Sequence, residues 1–335
     1  MDLKKIKKLG EGSFGSAYLV EDPDTKKQYV LKTIKHEGSL NEIDILTRIK
    51  PECQKYLSCI YSSKITRAEI MILMEYIPDT FELFSYLKYN ADELNIFTTF
   101  IIIKRLLEGL SVLHRLGVVH RDIKPSNILI QPNLLEIHYI DYGFACLKED
   151  IKCIRKFVGS PYYMSPEVYL NRLKFNWEIL KSADIWALGI SLMELVFPDH
   201  FLDEGVYPPD ESMDVIMMDI EEGKGVFEDI YRDTVDYEKY SSKTEGDKAT
   251  FFISIIRPML NPDWTKRPSA KDMLKLIDIK AKELIEMTRP VGMDIPEGVK
   301  SQLIEEIALK YALETPVSKK TKIMTFGDDK RRRTI

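Results

Sequence analysis

The chain has 335 residues, enough for one large or two small domains with a sizeable core. Hydrophobic residues make up 44 % and charged residues 30 %, an ordinary globular balance, and the net charge of −5 argues against a surface built for nucleic acid. No apolar run approaches membrane-spanning length, and the start, MDLKKIKKLGEG, lacks the apolar core of a signal peptide, so an intracellular, cytoplasmic protein is expected. In chain order, residues 3–35 read as short β-rich runs broken by glycines and by the turn signal DPDT. Residues 39–50 have helical spacing, with Ile43, Leu46 and Ile49 on one face. Residues 68–77, AEIMILMEYI, read as another strand. From about Phe97 the pattern turns helical. One long apolar helix stops at Gly117, and a second buried helix, SADIWALGISLMELVF, is stopped by Pro198. After about residue 280 the composition loosens, with one helical stretch near 298–313 and a polar end, DDKRRRTI. Four cysteines form two distant pairs, Cys53/Cys59 and Cys146/Cys153, neither with zinc-knuckle spacing. Free thiols are the expectation, and a regulatory Cys146–Cys153 bridge is the alternative.

The stretch VVHRDIKPSNILI, residues 118–130, sets His, Arg, Asp, Lys and Asn between apolar flanks. Charged residues are rarely buried without partners or a task, so this is either an ion-pair knot or a site of chemistry. Upstream, LGEGSFGSAY places Gly10, Gly12 and Gly15 in G-x-G-x-x-G spacing. The loop lies between two strands, which argues against a dinucleotide fold and for a flap over phosphates. Glycines there let backbone N–H groups approach phosphate oxygens. Lys32 follows inside an apolar strand. It is either an edge-strand lysine or one whose ammonium reaches a phosphate under the flap, with Glu42 the candidate carboxylate to hold it. Glu42 also fits a capping box with Ser39, which is the competing reading. Asp122, Lys124 and Asn127, with Asp141 of DYG, supply two carboxylates, an amide oxygen and a cation. Those groups suit one metal–phosphate centre, since phosphoryl transfer asks for positioning and charge neutralisation.

Here the chain resembles the eukaryotic protein kinases over about residues 3–280. The resemblance rests on GEGSFG, VLK, Glu42, HRDIKPSN, DYG, GSPYYMSPE, DIWALG and KRPS, in that order. It implies an α+β, two-lobe fold, with a small β-rich lobe carrying one main helix and a larger, mostly helical lobe. The small lobe would span about 1–77 and the large one about 78–280, with 281–335 a C-terminal extension. It implies ATP, Mg²⁺ and protein substrates; the composition argues against a membrane partner, and a monomer is expected. Asp122 would accept a hydroxyl proton and Lys124 would neutralise the moving phosphoryl group, while Asn127 and Asp141 would hold the metal. Gly10, Gly12, Ser13, Phe14, Gly15, Ala17, Val30, Lys32, Met74, Glu75, Ile77 and Leu129 would line the nucleotide site. Lys124 and Ser160 resemble the serine/threonine branch. Glu167 would pair with Arg267, and Asp184 would hold the catalytic-loop backbone. A nucleotide-binding pseudokinase and a small-molecule kinase are the rivals. Filled catalytic positions weigh against the first, and GSPYYMSPE weighs against the second.

The departures from the family pattern carry information. Ala17 and Val30 reverse the usual large and small residues, which keeps volume. Tyr142 replaces the usual Phe and brings a hydroxyl that needs a partner if buried. Glu42 comes only ten positions after Lys32, so the helix carrying Glu42 is expected to be short. Residues 199–248 carry sixteen Asp or Glu against five Lys or Arg, either a solvated face or a dock for basic substrates. Glu82 is a candidate reader of a substrate arginine, whereas Ser126 offers no carboxylate. The KRRRTI end is a solvated tail, a nuclear address or a site of self-modification at Thr334. His114 and His138 show no partner pattern. From Phe144 to Gly159 there is no Ser, Thr or Tyr, and Lys156 stands where a regulatory phosphate would be expected. Activity without phosphate in this segment is therefore expected. Ile151, Ile154 and Phe157 would hold the loop, with Glu149 or Asp150 reaching Arg121.

Overall fold

The structure, a computed structural model, describes residues 3–12, 15–35, 40–90, 94–171, 173–197, 243–288 and 304–309. Ser13, Phe14, Ser39, the acidic run 199–242 and the basic tail lie outside the described residues. Strands β1 (Lys4–Gly12), β2 (Gly15–Glu21), β3 (Gln28–Lys35), β4 (Ile60–Ile65) and β5 (Glu69–Glu75) form an antiparallel sheet in the order β1-β2-β3-β5-β4. Between β3 and β4 lies helix α1 (Asn41–Ile49), which buries Ile45, Leu46 and Ile49 against the sheet's core side chains while Ile43 is half-buried. α1 begins after Leu40 with no side-chain cap, so Glu42 is not drawn into a capping box.

The remainder is mostly helical. β6 (Phe81–Glu82) leads into α2 (Leu83–Asn90) and then α3 (Ile96–Arg115). The Asn95 side chain caps α3 by accepting from the backbone N–H groups of Phe97 and Thr98, satisfying donors the first turn leaves open. Gly117, at φ +75°, turns the chain out of the helix. Short strands follow: β7 (Val118–Val119), β8 (Ile128–Gln131), β9 (Glu136–Tyr139) and β10 (Cys146–Leu147). They are paired as β6-β8-β9 and β7-β10. Helices α4 (Ile151–Ile154) and α5 (Pro166–Tyr169) precede α6 (Trp177–Val196), which is apolar nearly all round and buried accordingly. α7 (Lys243–Ile256) and α8 (Ala270–Thr288) complete the helical layer. Helical structure runs through residue 280 without a break. The segment 304–309 is helical too, with Ile304 and Ala308 fully buried and Glu305 paired to Arg105 of α3 at 2.8 Å. Among the described residues no helix is long and apolar enough to cross a membrane.

One expectation changes here. The cysteines are not free: Cys53–Cys59 and Cys146–Cys153 are both disulfides, with Cα separations of 5.2 and 5.8 Å. Each pair sits at a tight reversal of chain, which brings the sulfurs together where spacing alone is silent. His138 is buried opposite Leu129 across β8 and β9, and neither ring nitrogen has a hydrogen-bond partner. Burial pushes its pKa down from 6.5 to about 4. The unfolded chain therefore takes up a proton that the folded chain refuses, and stability falls as pH drops through that window. His138→Leu is expected to remove up to about 3 kcal/mol of this acid sensitivity. Urea unfolding of both proteins at pH 7 and pH 4 reads it, and equal losses in the two would contradict it.

Candidate active site

Strand pairing places the first group. Ala17 lies opposite Lys32, Leu19 opposite Val30, and Val30 opposite Met74. With a side-chain period of two, Ala17, Val30 and Lys32 share one face of the sheet. Lys32 Nζ donates to Glu42 Oε1 at 2.6 Å and to Asp141 Oδ1 at 2.8 Å. So α1, the sheet and the segment after β9 meet at one ammonium. Burial works against that charge, but the Asp141 and Glu42 carboxylates overcome it and hold the Lys32 pKa above its ordinary value. Burial would raise Asp141, yet the lysine outweighs it and keeps this carboxyl below the usual range. Glu42 is only 3 % exposed, and burial raises it despite the same lysine, making it the weaker acid of the two.

Gly15 has a packing reason as well as the phosphate reason argued from sequence. A Cβ there would stand 1.8 Å from the Thr33 carbonyl oxygen, so only glycine lets β2 lie against β3 at this point. Gly10 pairs with Ala17, and Gly12 with Gly15. Met74 and Leu129 are buried, while Glu75 and Ile77 are half-buried at the connection between the two parts. The Glu75 backbone N–H donates to the Cys59 carbonyl at 2.9 Å.

The loop after β7 is held from behind by Asp184 of α6, which is buried. Its carboxylate accepts from the backbone N–H groups of His120 and Arg121, both at 2.8 Å. It also lies 3.0 Å from His114 Nε2, a partner that no local pattern announced because the two residues are 70 positions apart. Arg121 and Asp141 take left-handed backbone angles, φ +67° and +61°. Such strain in residues other than glycine persists where surrounding contacts over-determine it, commonly at working sites.

Asp122 is the most densely partnered carboxylate of the loop. Its Oδ1 accepts from Ser160 Oγ at 2.7 Å, and its Oδ2 accepts from Asn127 Nδ2 at 2.8 Å and lies 3.0 Å from Lys124 Nζ. Lys124 also donates to Ser160 Oγ at 2.7 Å. Because the Asn127 amide nitrogen is spent on Asp122, the amide oxygen is left to accept or to ligate. Asp141 is 36 % exposed and commits one oxygen to Lys32. No cluster of three or more His, Cys, Asp or Glu suited to a metal occurs among the described residues. A carboxylate and an amide oxygen fit Mg²⁺, which keeps waters and takes phosphate oxygens as its other ligands. The Tyr142 hydroxyl, unusual at this place, donates to the Tyr139 carbonyl at 2.9 Å, and burial pushes its pKa up.

The segment after DYG departs from expectation. Ile154 is buried, but Ile151 and Phe157 are 53 % and 45 % exposed and do not hold the loop. Glu149 pairs with Arg48 of α1 at 3.3 Å, and Asp150 caps α4 through the Cys153 N–H, so neither carboxylate reaches Arg121. Arg121 instead donates to the Cys146 Sγ at 2.9 Å, to the Cys153 carbonyl at 3.0 Å and to the Lys156 carbonyl. Loss of water around the guanidinium pushes its pKa down to about 10. Asn41, at the first turn of α1, donates to the Ala145 carbonyl at 2.5 Å. Glu82 is only 5 % exposed, inside the lobe rather than on a surface that meets substrate. Deeper still, Arg267 grips Glu167 through two bonds of 2.6 Å.

A family model for the protein kinase domain matches residues 3–276. The chain is 29 % identical over 225 residues to a dual specificity protein kinase YAK1 homolog of Arabidopsis thaliana, covering 64 % of this chain and 22 % of that protein. It is 31 % identical to calcium-dependent protein kinase 4 of Plasmodium falciparum, covering 84 % of this chain and 52 % of the relative. Serine/threonine-protein kinase dst2 of Dictyostelium discoideum is 30 % identical over 81 % of this chain and 22 % of its own length. The chain thus spans from about a fifth to about half of the length of these curated relatives. A match over most of the chain, with a β-sheet lobe, a helical lobe and the ordered motifs between them, makes one conclusion plain: the chain belongs to the protein kinase domain family.

Proposed function

We propose that the chain transfers the γ-phosphoryl group of ATP to serine and threonine hydroxyls of protein substrates, with Mg²⁺. The observation that carries the reading is the Asp122 carboxylate, buried and held at once by Asn127, Lys124 and Ser160. A carboxylate so fixed accepts the proton of an incoming hydroxyl without having to be reoriented. Lys124, beside it, neutralises charge on the transferred group. Lys32, kept cationic between Glu42 and Asp141, draws the nucleotide phosphates to the sheet's inner face, where Ala17, Val30, Met74 and Leu129 supply apolar walls for the base. Asn127 and Asp141 would hold Mg²⁺, which would supply charge withdrawal from the phosphate oxygens.

Ser160 and Lys124 favour serine and threonine, because they close over Asp122 and leave the shorter hydroxyl side chains the better fit. Dual-specificity and serine/threonine kinases both occur among the named relatives, so residue choice is a reading of this site. The catalytic domain is read as about 1–280, in a monomer inside the cell, where ATP is at hand. The test is incubation with radiolabelled ATP·Mg²⁺ and a peptide array, wild type beside Asp122→Ala. Label on serine and threonine peptides with wild type alone supports the reading, and equal label with both proteins would overturn it.

A further inference from the structure

The segment between DYG and GSPYY offers no hydroxyl for a regulatory phosphate over residues 144–159, yet its centre is the meeting point of three elements. Arg121 reaches it from the catalytic loop, touching Cys146 Sγ at 2.9 Å, the Cys153 carbonyl at 3.0 Å and Cys153 Sγ at 3.7 Å. Asn41 reaches it from the first turn of α1, one residue before Glu42, touching Cys153 Sγ at 3.6 Å and the Ala145 carbonyl at 2.5 Å. The Cys146–Cys153 disulfide joins β10, paired to β7 at the foot of the catalytic loop, to α4. We infer that this cysteine pair is a thiol-modification site, closed by low-molecular-weight disulfides and opened by dithiols, whose closed form holds the segment in its working position.

The argument is one of charge and connection. Arg121 is largely buried and receives no carboxylate from the segment, since Glu149 goes to Arg48 and Asp150 caps α4. From Lys156 the guanidinium takes only the backbone carbonyl. Its direct side-chain partners are therefore carbonyls and sulfurs, with the Asp184 carboxylate behind the loop as the one counter-charge that acts on it. The carbonyl and sulfur contacts hold only while α4 stays folded back on β10, which is what the covalent link enforces. With the link open, this four-residue helix keeps its Asp150 cap and the buried Ile154 side chain but loses its only covalent tie to β10. The same contacts bear on α1, and through Glu42 on Lys32, so the state of the bridge reaches the nucleotide site.

The chemistry balances without further groups. The thiolate of Cys153, the less deeply buried of the two, attacks one sulfur of an oxidised glutathione molecule, forming a mixed disulfide and expelling one glutathione thiolate. The thiolate of Cys146 then attacks the Cys153 sulfur and expels the second. Two protein thiols lose two electrons and two protons, and one small disulfide becomes two thiols. Dithiothreitol runs the exchange backwards and leaves as its cyclic disulfide.

This inference rests on the proposed transfer activity for one readout but not for the other. The full chain, treated with phosphatase, is held in dithiothreitol or in oxidised glutathione, and thiol labelling with mass spectrometry confirms the state of each cysteine. Backbone hydrogen exchange over residues 146–158 and turnover on a peptide mixture are then measured. Reduction should speed exchange in this segment and lower turnover about tenfold or more, and reoxidation should restore both. Cys53→Ser/Cys59→Ser should keep the response, and Cys146→Ser/Cys153→Ser should lose it and stay in the low state. Because wild type is switched reversibly, the result does not depend on how well a variant folds. Exchange and turnover unchanged by reduction would overturn the inference, as would a response that survives in Cys146→Ser/Cys153→Ser. Exchange that responds in a chain transferring phosphate in neither state would uphold the clamp and overturn the transfer reading.

Discussion

Asp122→Asn is expected to lower turnover by about 10²- to 10⁴-fold, the range that a positioned general base supplies. ATP affinity and thermal midpoint should stay near wild type. The substitution keeps shape and volume and removes a proton acceptor: an amide oxygen in the Oδ2 place still accepts from Asn127 and Lys124, and the amide nitrogen in the Oδ1 place meets the Ser160 hydroxyl, which can rotate to accept. Nucleotide binding should survive because it draws on Lys32, Glu42 and Asp141, a separate set of contacts. Calorimetric titration with ATP·Mg²⁺, melting curves and initial rates on one peptide decide it together. A variant that loses nucleotide affinity in proportion to turnover would place Asp122 in binding and not in proton transfer.

Glu167→Ala should destabilise the folded chain by about 3–5 kcal/mol, the range for breaking a buried ion pair from one side. The Arg267 side chain is 0 % exposed and that of Glu167 only 6 %, so truncation strands a guanidinium with no route to water. The remaining acceptors are the carbonyls of Asn261, Pro262 and Ser182 and the Ser182 hydroxyl, which supply hydrogen bonds but no counter-charge. The Arg267 guanidinium carbon also lies 4.9 Å from the Trp186 ring centroid, a cation–π contact that does not replace the lost carboxylate. The double replacement Glu167→Ala/Arg267→Met removes both charges and should cost less than Glu167→Ala alone. Denaturant unfolding measures all three, and a single-variant loss below about 1 kcal/mol would mean that water reaches this pair as it reaches surface pairs.

What the sequence made legible was local. The strand alternation of residues 3–35, the long apolar helix ending at Gly117 and the ordered short motifs each carry their signal within a dozen positions. The Glu167–Arg267 tie and the Asp184 bonds to the loop backbone were legible only through resemblance, since they join residues 100 and 64 positions apart. The cysteine pairs were misread because sequence spacing carries no information about Cα separation, and it is the reversals after α1 and after β10 that bring the sulfurs into reach. Arg121 was misread for a related reason. Its partners are backbone carbonyls, which every residue has and no pattern marks, rather than the carboxylates that its charge suggests. Glu42 fell the other way. The capping box required a helix beginning at Ser39, and α1 begins after Leu40, which leaves the carboxylate for Lys32.

The most direct measurement is phosphoamino-acid analysis of a degenerate peptide mixture after incubation with γ-labelled ATP·Mg²⁺ and the oxidised, phosphatase-treated chain. The account predicts labelled phosphoserine and phosphothreonine well above the level given by Asp122→Asn. Label confined to phosphotyrosine would contradict the serine/threonine reading built on Lys124 and Ser160. A peptide pool no more labelled by wild type than by Asp122→Asn would contradict the claim that this carboxylate drives phosphoryl transfer at all.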